Sequence, residues 1–353
     1  MDGPRVALAL GSGGARGYAH IGAIQVLEER GFEIVGVAGS SMGALVGGLH
    51  AAGKLADYTD WVCGLSHLDV LRLLDVSLSA AGAIRAEKIF ALVGELLSGA
   101  LIEELPLPYT AVATDLFARK PVWFQRGPVD VAIRASIAIP GMFTPVMLNG
   151  RLLADGGLLD PVPVAPTTSL RADVTIGVSL GGERTGPEEG TPAVESSEER
   201  PFEEWADRFR RGAARFLDRE MFRSLTSRFG GSDSADADEQ EEAPTPEPEG
   251  PFEALPVGLG KWDVMNQSLD AMTAVLTRYR LAGYPPDVLV EIPKDACRGF
   301  DFHKAAPMIE LGRALTTEAL DRAGLTGATE AAGAVTTTPS AGTTSAGTAP
   351  PPA

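Results

Sequence analysis

Cysteine is nearly absent from this chain: Cys63 and Cys297 are the only two in 353 residues. They form no CxxC or Cys/His metal pattern. A disulfide framework is therefore excluded, and a reducing compartment fits. Bases are scarce too, 30 against 47 acids, for a formal net charge of −17. That balance argues against broad electrostatic binding to nucleic acid, which needs clustered Lys and Arg. No apolar run approaches the ~20 residues of a membrane span. The run Val6 to Leu10 is too short for a signal peptide, and Met1 to Arg5 carries no basic n-region. A cytoplasmic protein is expected, with peripheral contact at the inner face of the membrane left open. There is no internal repeat, and the glycines keep no collagen period.

At 44% hydrophobic residues the chain can bury a full core. The charge is unevenly placed. Residues 1–182 hold 17 acids and 13 bases, residues 183–253 hold 20 and 9, and residues 254–353 hold 10 and 8. Most of the net negative charge, −11 of −17, thus belongs to one 71-residue stretch, and its flanks read as an ordinary enzyme.

Val6 to Leu10 and Ile34 to Ala38 read as buried parallel strands. Residues 15–30 and Met42 to Ala52 read as the helices that follow them, the first stopped by Gly31. This βαβα spacing predicts a parallel sheet with crossover helices. Further helices are expected near 55–66, 85–99, 128–137, 262–282 and 304–324. Strands are expected at Tyr109 to Thr114, Val122 to Gln125, Val174 to Leu180 and 287–291. Asn149-Gly150 between Val146–Leu148 and Arg151–Leu153 signals a hairpin with a type I′ turn.

Gly39-Ser40-Ser41-Met42-Gly43 fits G-x-S-x-G directly between a strand and a helix, the context a nucleophile elbow requires. Ser41 is the candidate nucleophile. Ser40 is its rival, but only Ser41 has glycine at both −2 and +2. Gly11-Ser12-Gly13-Gly14-Ala15-Arg16-Gly17 follows the first strand. It fails G-x-G-x-x-G, because counting from Gly11 the sixth position is Arg16, and no acid stands at the end of the second strand. An oxyanion hole is the better use, since glycines let backbone N–H groups approach a substrate closely. Gly13 and Gly14 can face Ser41, and Arg16 can order the loop or attract an anionic head group.

An exposed serine needs a base. The order Ser…Asp…His leaves only His303 for a triad. His20 lies inside the first helix and reads as structural. The stronger candidate is Asp155 in Leu153-Ala154-Asp155-Gly156-Gly157, which follows a hairpin strand and precedes two glycines that make room for it.

These three segments in this order resemble the patatin-like phospholipase family, in particular its small bacterial members. The stretch from Ala132 to Val146 is also similar to the family's segment before the aspartate. The resemblance covers about 5–182 and, more weakly, 262–325. It implies a three-layer α/β/α fold with a mostly parallel central sheet. It also implies a Ser–Asp dyad of Ser41 as nucleophile and Asp155 as proton acceptor. Gly13, Gly14 and Arg16 line the implied oxyanion hole, and Gly11, Gly17, Gly39, Gly43, Gly156 and Gly157 complete the motifs. Ser12 stands where many members have glycine. Lipid acyl esters are the implied substrates, and the dyad needs no metal or cofactor. A non-lipid esterase or thioesterase, or a regulatory lipid-binding protein on the same fold, are the alternatives.

The sequence divides into a catalytic core at 1–182, an insert at 183–261, a C-terminal part of the core at 262–326 and a low-complexity tail at 327–353. Within the insert, residues 202–229 carry Phe202, Trp205, Phe209, Phe216 and Leu217 at helical spacing against seven arginines. An amphipathic helix is expected there, packed on its own domain, acting as a lid, or touching a membrane surface.

Overall fold

A computed structural model describes residues 3–73, 87–140, 142–183, 261–325 and 327. The chain divides into two compact units, Met1–Pro187 with Ser268–Ala353, and Glu188–Gln267. The helix expected at 202–229, the acidic stretch 231–253 and the tail after 327 lie outside the described residues.

The sheet runs β1 Arg5–Leu10, β2 Glu33–Ser40, β3 Tyr109–Asp115, β4 Lys120–Phe124, β5 Val146–Leu148, β6 Arg151–Asp155, β7 Val174–Gly182 and β8 Val288–Pro293. Strands β3-β2-β1-β7-β8 form a parallel block, and β4, β5 and β6 join it antiparallel at the β3 side. The helices are α1 Ala19–Glu29, α2 Met42–Ala51, α3 Leu55–Cys63, α4 His67–Leu73, α5 Glu87–Leu97, α6 Val129–Ser136, α7 Lys261–Gly283 and α8 Ala305–Arg322. Asn149 and Gly150 both take positive φ (49° and 75°), as the hairpin turn between β5 and β6 requires.

Strand β1 explains the unequal layers. Its Val6, Leu8 and Leu10 enter the main core with α1, α2 and α8, while Ala9 enters a thin second core with Val162 and Val164, against which Leu281 of α7 packs. Both faces are buried, so the sequence reads as a continuous apolar run. Large residues point to the thick side and alanine to the thin one. Each leucine so buried contributes about 1.5–3 kcal/mol. Helices α1 and α8 pack closely enough that a Cβ at Gly22 would strike the Ile309 carbonyl, and one at Gly312 the Ala19 carbonyl.

The register around β3 positions the site. One edge of β3 carries β4, with Val112 opposite Trp123 and Ala113 opposite Val122. The other edge is shared end to end by two strands: β2 places Ser40 beside Val112, and β6 places Asp155 beside Ala113. The chain ends of β2 and β6 therefore meet at adjacent residues of one strand.

Candidate active site

Strand β2 passes into α2 through a single residue, Ser41, with φ 54° and ψ −120°. For a non-glycine residue that backbone costs about 1–3 kcal/mol and persists only when the surroundings enforce it. The flanking glycines are what make the turn fit. A Cβ at Gly39 would strike the Gly43 carbonyl, and one at Gly43 the Leu10 carbonyl at the end of β1. Ser41 N donates to Ser136 Oγ at 2.8 Å, and Ser136 Oγ donates to Val112 O at 2.6 Å. The turn is thus tied to α6 and β3 as well. Ser40 points elsewhere: its buried Oγ donates to Asp160 O at 2.6 Å.

Ser41 Oγ donates to Asp155 Oδ2 at 2.5 Å. The other carboxylate oxygen, Oδ1, accepts from Gly157 N at 2.7 Å, and Asp155 N donates to Ala138 O at 2.9 Å. Both glycines of the D-G-G segment are sterically required, because a Cβ at Gly156 would strike the Val112 carbonyl and one at Gly157 the Ser12 hydroxyl. Burial pushes the Asp155 carboxyl up to about 6, against the two hydrogen bonds, which favour its charged form. Among the described residues, no histidine hydrogen-bonds to either member of the pair. His303 lies edge-on to His67 with ring centroids 4.9 Å apart. His20 is buried in α1 and bonds through Nε2 to Gly11 O at 2.8 Å; burial lowers it to about 4 and keeps it neutral. Nε2 must then carry the proton, because the carbonyl can only accept.

The glycine loop leaves β1 through Gly11 N to Val178 O (2.9 Å) and Ser12 N to Pro161 O (2.8 Å). A short 3-10 turn, Gly14–Tyr18, follows before α1, where the sequence suggested helix from residue 15. Among the described residues, Gly13 N and Gly14 N donate to no protein acceptor. Side chains are excluded here: a Cβ at Gly13 would meet Leu180, and one at Gly14 (φ 59°) the Gly299 carbonyl. Arg16 orders the loop. Its Nε donates to Gly13 O at 3.2 Å and its Nη1 to Lys294 O at 2.8 Å.

Gly14 and Ser41 sit in the wall of an apolar pocket built from three further helices. Tyr58, Trp61 and Leu65 come from α3 and its end, Val70 from α4, and Phe90 from α5; Ile137 and Phe143, after α6, also line it. A second cavity, under Val37, Tyr109, Gln125 and Leu170, holds neither Ser41 nor Asp155. Among the described residues, no group of three or more His, Cys, Asp or Glu is arranged to hold a metal, and no helix is long and apolar enough to cross a membrane.

Two polar residues at this site are missed by sequence reasoning. Ser136, which holds Ser41 N, lies inside the Ala132–Val146 stretch but has no motif of its own. Asp160 is buried, with burial pushing its carboxyl to about 6, and among the described residues its Oδ2 has no hydrogen-bond partner. Only its place five residues after Asp155 hints at it.

A family model described as patatin-like phospholipase matches residues 8–168. The chain is 50% identical over 337 residues to an NTE family protein of Mycobacterium tuberculosis strain H37Rv, covering 90% of this chain and 92% of that one. Mouse patatin-like phospholipase domain-containing protein 6 is 30% identical over 190 residues, covering 52% of this chain and 14% of the mouse protein. Among solved structures, VipD from Legionella pneumophila aligns with a TM-score of 0.40 at 15% identity, over 91% of this chain and 67% of that one.

Proposed function

The chain belongs to the patatin-like phospholipase family, and from that premise we propose that it hydrolyses fatty acyl esters of lipids through a dyad of Ser41 and Asp155. The observation that carries this reading is the 2.5 Å hydrogen bond from Ser41 Oγ to Asp155 Oδ2 at the wall of an apolar pocket. Asp155 takes the Ser41 proton as Oγ attacks the ester carbonyl. Its raised pKa makes it a stronger base than a free aspartate, while it stays mostly ionised at neutral pH. The N–H groups of Gly13 and Gly14 stabilise the oxyanion of the tetrahedral intermediate, each worth about 3 kcal/mol. Arg16 supports them by fixing the Gly13 carbonyl, and the N-terminus of α2 adds its positive dipole end.

The protonated Asp155 then gives its proton to the leaving alcohol. In the second half-reaction it removes a proton from water, which attacks the acyl–Ser41 ester and releases the fatty acid. The apolar walls of Tyr58, Trp61, Leu65 and Phe90 favour a long acyl chain over a small polar one, which sets lipids ahead of the non-lipid ester reading.

The test is hydrolysis of p-nitrophenyl esters over a chain-length series, followed by phospholipid vesicles. Wild type should prefer the longer chains, and Ser41→Ala and Asp155→Asn should each lose about 10³-fold or more. Ser40→Ala should keep activity within a few fold. Full activity in Ser41→Ala sinks the mechanism, and an equal loss in His303→Ala replaces the dyad with a triad.

A further inference from the structure

At the Asp155 side of the sheet β3 is buried along its whole length, but the β4 strand and the β5–β6 hairpin beside it are covered on one face more than on the other. Val122, Phe124, Val146 and Leu148 pack around Ala113, Leu153 and Ala135 of α6. The opposite face carries Met147, Leu152 and Leu116 in register across β5, β6 and the end of β3. Met147 pairs with Leu152, and Leu116 N donates to Leu152 O at 2.9 Å. Trp123 of β4, opposite Val112, lies on this same face. An antiparallel sheet open to water on one side ordinarily alternates apolar-in with polar-out. Here the outward set is apolar: Met147 is 60% exposed, Trp123 44% and Leu116 37%, and Phe117 at the β3–β4 turn is 67% exposed.

The charge in these hairpin segments has one sign. Residues 116–124 and 146–153 contain Arg119, Lys120 and Arg151 and no acid, in a chain of net charge −17. Asp115, the acid adjoining these segments in sequence, is buried, accepts from the Phe117 and Ala118 amides, and lies 3.9 Å from Arg151 Nε. The tips also lie beyond the catalytic end of the sheet. Leu116 is four residues past Val112, the partner of Ser40, or about 13 Å along β3.

We propose that the β3–β4 and β5–β6 hairpin tips form a docking surface for an anionic lipid bilayer. Leu116, Phe117 and Met147 enter the interface, Trp123 lies further back along β4, and Arg119, Lys120 and Arg151 at the tips meet the head groups. The choice of a bilayer over a protein rests on charge complementarity and on the reading of Ser41 as the nucleophile of a lipid hydrolase, which places the substrate at this end. Docking here brings the mouth of the sheet against the membrane, so an ester reaches Ser41 without crossing water.

The full-length protein is sedimented with vesicles of phosphatidylcholine and phosphatidylglycerol in equal parts, and with phosphatidylcholine alone. p-Nitrophenyl butyrate hydrolysis in free solution is measured alongside. Wild type binds the anionic vesicles and binds phosphatidylcholine alone far more weakly. Phe117→Ser with Met147→Ser weakens anionic binding about tenfold or more. Arg119→Gln and Lys120→Gln weaken it about fivefold each. Hydrolysis of the soluble ester is unchanged in all of them. Both variant sets binding anionic vesicles as wild type does overturns the proposal. So does light scattering that finds a wild-type dimer made monomeric by Phe117→Ser with Met147→Ser, which assigns the face to a second copy. Hairpin-dependent vesicle binding without ester hydrolysis by wild type keeps the docking surface and fails the hydrolase reading.

Discussion

Ser41 and Asp155 are 114 residues apart in sequence, and a single residue step of β3 brings them together. Val112 holds the end of β2 and Ala113 holds the end of β6 on the same edge. The pair therefore depends on strand register, with Ser136 Oγ on Ser41 N and Ala138 O on Asp155 N fixing the two backbones.

The pH dependence of the reaction should report Asp155. Only the ionised carboxylate accepts the Ser41 proton, and burial sets its pKa at about 6. Below that value kcat/KM for a soluble ester should fall about tenfold per pH unit, reaching a plateau above it. A profile still flat at pH 4 rules Asp155 out as the base.

Asp155→Asn should be inactive and more stable. A carboxyl whose folded pKa is raised from 3.8 to about 6 contributes fully below 3.8, and that contribution is lost as pH rises through 6. Relative to wild type, the amide variant should gain about 1–3 kcal/mol at neutral pH. The gain in Tm should shrink toward zero near pH 4. His20, lowered to about 4, works in the opposite sense, its contribution being lost as pH falls below 6.5. The difference between the two proteins is thus the informative quantity, rather than either Tm alone.

Arg16→Ala should separate positioning from binding. It removes the donors to the Gly13 and Lys294 carbonyls and loosens the loop that presents Gly13 N and Gly14 N. A drop of about 10–100-fold in kcat with KM nearly unchanged is expected, because oxyanion contacts matter in the transition state. Arg16→Lys should restore little, since one ammonium cannot reproduce the fork that reaches both carbonyls. A pure KM effect would instead mark Arg16 as a head-group contact.

Two glycines should respond oppositely to alanine. Gly43→Ala drives a methyl into the Leu10 carbonyl and should cost more than about 3 kcal/mol, read as loss of soluble protein or a large fall in Tm. Gly94→Ala, in the middle of α5 with nothing within 4 Å of its Cβ position, should stabilise by about 0.5–1 kcal/mol.

Much of the scaffold is legible in sequence because its signals are local. Val6 to Leu10 is an apolar run because β1 is buried on both faces. Asn149-Gly150 marks its turn because both residues need positive φ. The elbow is legible because its glycines are demanded by backbone contacts within the same turn and with β1. What escapes is what depends on distant partners. The 3-10 turn before α1 is set by Ala15 N bonding to Gly299 O, which no local periodicity records. Arg16 reads equally as a loop clamp or an anion contact until Lys294 is placed beside it. The apolar pocket draws two residues each from α3, α4 and α5, each of which reads as ordinary helix core. Ser136 is one serine in a helix until Ser41 N is found on it.

The shared edge of β3 has a mechanical consequence. A strand that holds Ser40 and Asp155 against neighbouring residues acts as a common ruler, so bending or sliding of the sheet moves both ends together. Within the segment joining β2 to β6, Ser136 and Ala138 tie into the same frame by holding Ser41 N and Asp155 N. That division leaves α3, α4 and α5, which line the apolar pocket, free to diverge in sequence while Ser41 and Asp155 keep one spacing.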